Sequence, residues 1–90
     1  MLDSYFHADS HSTVTIGRSA TANLPLDDSL ASKVQATLQF RNEWFVCDGD
    51  GGRASTNGSW LFLNEDVQVY TGLVFKVQST VFRASLFRNW

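Results

Sequence analysis

Gln35-Ala36-Thr37-Leu38-Gln39-Phe40-Arg41 decides the fold class, because apolar and polar residues alternate through it without a break. A period of two places Ala36, Leu38 and Phe40 on one face of an extended strand, with Thr37, Gln39 and Arg41 on the other. A helix would need the rival stripe of Leu30, Val34 and Leu38. The stronger alternation from position 35 onward overrides that stripe, and no window of about eleven residues elsewhere carries a helical one.

The same periodicity extends in both directions. Val14 and Ile16 share a face in Thr-Val-Thr-Ile-Gly at 13–17. Leu73, Phe75 and Val77 alternate with Val74, Lys76 and Gln78, and Phe82, Ala84 and Leu86 alternate with Arg83 and Ser85. Val67 and Val69 supply one more short strand. Segments 43–47 and 60–63 are apolar on both faces, the pattern expected of strands in the middle of a sandwich. Breakers fall at 9–12, 19–23, 27–32, 42, 48–58, 64–66, 71–72 and 78–80. Many short strands joined by turns predict an all-β antiparallel sandwich with its long loops gathered at one end.

Ninety residues suit one domain, expected to occupy 1–90 as part of a larger protein. The 43% apolar and 18% charged shares are those of a folded chain and argue against disorder. A net charge of -2 argues against a general electrostatic grip on nucleic acid or anionic lipid. The single cysteine, Cys47, excludes an internal disulfide framework and suits a reducing, intracellular setting in cytoplasm or nucleus. Neither a signal peptide nor a membrane-spanning run is legible. No cofactor or metal is expected. His7 and His11 flank Asp9 and Ser10 in a segment without helical signal, so they read as a loop and not as a metal pair. No base, nucleophile and orienting group occur together, so no catalytic residue is assigned. Trp44 and Trp60 read as core or half-core aromatics, since no basic stripe accompanies them in sequence. Arg53 reads as solvated.

Three loop segments carry the candidate chemistry: Ile16-Gly17-Arg18-Ser19, the stretch 29–35, and Ser55-Thr56-Asn57-Gly58-Ser59. Asn57-Gly58 is a strong turn dipeptide, because both residues tolerate positive φ at little cost. If these loops meet at one end of the sandwich, Arg18, Ser32, Lys33, Thr56 and Asn57 converge. A guanidinium fork, an ammonium, two hydroxyls and a carboxamide match a phosphate dianion, which needs several donors and opposite charge.

Ile16-Gly17-Arg18, Leu26-Asp27-Asp28 with Ser32 shortly after, the 55–59 segment and the late Gly72 together resemble the forkhead-associated (FHA) domain. The resemblance runs from about residue 13 to residue 86. It implies a sandwich of the FHA and SMAD-like type with about 9–11 short strands, acting inside the cell as a phosphothreonine-peptide-binding module in signalling. By position it implies that Arg18 and Ser32 contact the phosphate and that Lys33 helps to hold it. Thr56 would contact the phosphate or the adjoining peptide backbone, and Asn57 would hydrogen-bond that backbone. Leu30, two positions before Ser32, would tune the choice of flanking residue. Gly17 and Gly58 would permit the turns that aim these side chains. The isolated domain is expected to be monomeric, with a phosphothreonine-containing protein or peptide as partner.

Two departures stand out. Gln35 occupies the place of the family's usual histidine, which braces the loops, and glutamine can donate and accept in much the same space. Few residues precede 13, so a first strand would have to come from about 2–7 or be partly missing. The alternative reading is a phosphate-independent FHA-like scaffold or interaction domain.

Overall fold

The computed structural model describes residues 3–47, 52–56, 59–63 and 65–87, and for Thr56 the backbone alone. It is all-β. Nine strands run in the order β1 (Thr13–Gly17), β2 (Leu24–Pro25), β3 (Ala36–Arg41), β4 (Glu43–Cys47), β5 (Arg53–Thr56), β6 (Ser59–Phe62), β7 (Val67–Gln68), β8 (Val74–Val77) and β9 (Thr80–Arg83). They form a five-stranded sheet, β2-β1-β3-β4-β7, and a four-stranded sheet, β6-β5-β8-β9. All pairings are antiparallel except β1 with β2. The result is the β-sandwich anticipated from the alternation.

Inward residues of both sheets make one core. Ile16, Ala36 and Val46 come from the five-stranded sheet, Ala54, Phe75 and Val77 from the four-stranded one, with Leu26, Ala31, Val69 and Leu73 from the connections. Phe75 pairs with Phe82 across β8 and β9, and their rings stack at 5.2 Å between centroids. The parallel edge is held by side chains as well as by backbone. The amide and hydroxyl of Thr15 both donate to Asn23 Oδ1, and the amide of Asn23 donates back to Thr15 Oγ1. That exchange seats the chain beside β1, and Pro25, which has no amide to offer, lies on an edge strand. Asn42 (φ 63°) and Gln78 (φ 56°) take left-handed conformations in the β3–β4 and β8–β9 turns.

Residues 3–7 form no strand, the second of the two options for a first strand. Three expectations change. Segment 48–58, read as one run of breakers, contains β5, a strand hard to see because only Ala54 of its apolar content points to the core. The 60–63 run is not central: β6 is an edge strand, and all four of its residues are exposed. Phe40 shares the face of Ala36 and Leu38, yet β3 outruns the core there. Its ring packs edge-on against the cross-strand Trp44 instead.

Phe75 is the largest aromatic sealed in this core, at 3% exposure. Phe75→Ala is expected to cost about 3–5 kcal/mol, checked by denaturant unfolding.

Candidate functional site

After β1 the chain turns through 19–23, adds β2, and returns along 26–35 to start β3. The returning loop is sewn to the end of β1 by its own backbone. Leu26 N–H donates to Gly17 O (2.7 Å) and Gln35 N–H to Ile16 O (2.7 Å). In the other direction, Arg18 N–H donates to Ser32 O (2.9 Å) and Ser19 N–H to Lys33 O (3.2 Å). Buried Leu26 and Ala31 pin the loop from inside, which leaves Leu30, Ser32, Lys33 and Val34 outside.

This seam depends on Gly17. A Cβ built there would collide with Lys33 O and lie 2.8 Å from Val34 Cα, so any side chain would push the two backbones apart. The role anticipated for Gly17 was to permit a turn. Its positive-φ freedom is not used; close approach of the loop backbone is the requirement.

Arg18 is exposed but not loose. Its Nε donates to Ala31 O at 3.0 Å, which fixes the plane of the guanidinium, while its terminal nitrogens take no partner among the described residues. Gln35 is buried, and its Oε1 accepts from Ser32 N–H at 2.8 Å. The glutamine thus braces the serine-bearing turn from beneath, the service foreseen for it. Asp28 shapes the front of the loop: Oδ1 accepts from Leu30 N–H (2.9 Å), and Oδ2 accepts from the Ser79 hydroxyl of the β8–β9 turn (3.5 Å).

Arg18, Ser32 and Lys33 are therefore brought together on two adjoining loops, each held by backbone hydrogen bonds. The arrangement presents two cations and a hydroxyl on fixed backbone, suited to an anion with several acceptor oxygens. Thr56 is placed differently. β5 runs antiparallel to β8 with Arg53 opposite Lys76 and Ala54 opposite Phe75, so Thr56 lies toward the Val74 end of β8. The β8–β9 turn that touches Asp28 is at the other end. Asn57 and Gly58, the remaining sequence candidates, lie outside the described residues.

The FHA-domain family model matches residues 14–77, and the chain belongs to that family, whose members are phosphopeptide-binding interaction modules rather than enzymes. No curated protein matches the sequence significantly. No helix among the described residues is long and apolar enough to cross a membrane.

Two substitutions test the seam. Gly17→Ala should destabilise by about 1–3 kcal/mol through overpacking against Lys33. Gln35→Ala should cost about 1–3 kcal/mol, because it strands the Ser32 amide over a buried gap. Thermal and denaturant unfolding check both, and Gln35→His is expected to recover most of the second loss.

Proposed function

We propose that this domain binds phosphothreonine in partner proteins and so makes a protein–protein interaction depend on phosphorylation, as part of intracellular signalling in cytoplasm or nucleus. The observation that carries the reading is the seam itself. It sets Arg18 beside Ser32 and Lys33, with the guanidinium oriented by Ala31 O and its outer nitrogens unpartnered among the described residues.

In this reading Arg18 grips the phosphate through its terminal nitrogens, Ser32 donates its hydroxyl, and Lys33 adds a mobile positive charge. Two or three charge-assisted hydrogen bonds, each about 1.5–3 kcal/mol, make the phosphate the dominant anchor. An unphosphorylated peptide offers no such anchor and leaves both cations in water. Thr56 and Asn57 enter the proposal through family resemblance, as contacts to the phosphate's surroundings and to the peptide backbone. Preference for threonine over serine comes from one additional buried methyl, about 1 kcal/mol. Affinity is of micromolar order, roughly -8 kcal/mol. Leu30, 87% exposed beside Ser32, is free to meet a peptide side chain and favours an aliphatic residue over an acidic one. The isolated domain acts as a monomer, occupies 1–90, and belongs to a larger protein that it directs to phosphorylated partners.

Calorimetric titration with matched phosphothreonine, phosphoserine and unphosphorylated peptide pools tests the reading. Binding should follow that order, and Arg18→Ala should abolish it while the domain stays folded, losing only the Arg18 Nε–Ala31 O hydrogen bond. If Arg18→Ala binds partners as well as the wild type, the phosphate-independent scaffold is the correct description.

The pH response has a definite sign. The clamp favours the phosphate dianion, whose second pKa is about 6 in the free peptide. Affinity should therefore be full above about pH 7 and fall as pH drops below about 6. Titrations across that range check it.

A further inference from the structure

The outer face of the four-stranded sheet is cationic and aromatic, in contrast to the chain as a whole. Phe75, Val77 and Ala54 point into the core, so their strand neighbours point outward. Across the four strands, Phe62 pairs with Arg53, Arg53 with Lys76, and Lys76 with Val81, forming one continuous row. Two residues further along each strand, Trp60 pairs with Ser55 and Val74 with Arg83 on the same face. Three of the chain's seven Lys and Arg residues thus stand together, although the chain carries a net charge of -2. None of the four strands contains an acidic residue. Arg53, Lys76 and Arg83 make no ion pair among the described residues.

The aromatic rings are held by these cations. The Arg53 guanidinium lies 4.6 Å from the Phe62 ring centre, and the Lys76 ammonium lies 4.8 Å from that of Trp60. Trp60, expected as a core or half-core aromatic, faces outward from the sheet with 39% of its surface exposed. Phe62 and Val81 remain exposed, at 61% and 58%, and adjoin the cationic row.

We propose that this face is a second docking surface, distinct from the phosphate clamp, and that its partner is an acidic protein segment carrying aliphatic side chains. Charge complementarity selects the partner's carboxylates for Arg53, Lys76 and Arg83, and the exposed Phe62 and Val81 select its apolar groups. A single-stranded nucleic acid also carries negative charge, but it binds such faces by stacking bases on open rings. Here each ring already has a cation over one face, while the outward N–H groups of those cations stay available to carboxylates. Its cations come from other elements than Arg18, Ser32 and Lys33, and the surface needs no phosphate.

The test uses the whole domain and a short unphosphorylated peptide alternating glutamate with leucine, followed by calorimetry and amide chemical-shift mapping. Saturable binding that weakens as salt rises is expected, with shifts centred on 53, 60, 62, 76, 81 and 83. The double variant K76E/R83E should lose affinity by about tenfold or more with its own spectrum otherwise retained. The proposal is overturned if binding does not saturate or if the wild-type shifts fall elsewhere. It is equally overturned if single-stranded oligothymidylate binds more tightly than the peptide, or if the face is covered by a second copy of the chain in sedimentation.

Discussion

The absence of a side chain at Gly17 is the constraint on which the rest of the site depends. With only hydrogen there, the Lys33–Val34 backbone lies directly against β1. Amides 18 and 19 can then reach carbonyls 32 and 33, and amide 35 can reach carbonyl 16. Those bonds convert a ten-residue return loop, which chain entropy would otherwise keep mobile, into an extension of the sheet. The candidate side chains gain their positions from backbone geometry. Arg18 is steered further by the Ala31 carbonyl, and the serine turn is supported by a buried glutamine.

That arrangement gives Gln35 a definite task. A brace under a binding loop needs an acceptor facing the loop amide and enough burial to exclude water as a competitor. Gln35 supplies both, with its carboxamide oxygen on Ser32 N–H and 6% of its surface exposed. Glutamine is neutral at every physiological pH, whereas histidine titrates near it. The support that Gln35 gives the Ser32 turn is therefore independent of pH.

Much of the fold was legible because burial on one face imposes period two. The alternation at 35–41 and 73–77 maps onto β3 and β8, and the glycine-arginine and serine-lysine pairs flag the two loops that meet. Other features escaped for a physical reason: they are made by pairing across strands. β5 has almost no apolar pattern of its own and is a strand because β6 and β8 flank it. The run at 60–62 looks like core material, yet its rings face outward, covered by cations that are distant in sequence. The Ala31 carbonyl was invisible for a similar reason, since residue type does not encode where a backbone oxygen points.

Nuclear magnetic resonance of the labelled domain tests the central claim most directly, by following backbone amides as a phosphothreonine peptide is added. The largest shifts should fall on Arg18, Ser19, Ser32 and Lys33, with the Arg18 Nε–H resonance moving alongside them and the phosphorus signal of the peptide shifting toward its dianionic position. Saturable binding that leaves residues 17–19 and 31–35 unperturbed would contradict the account.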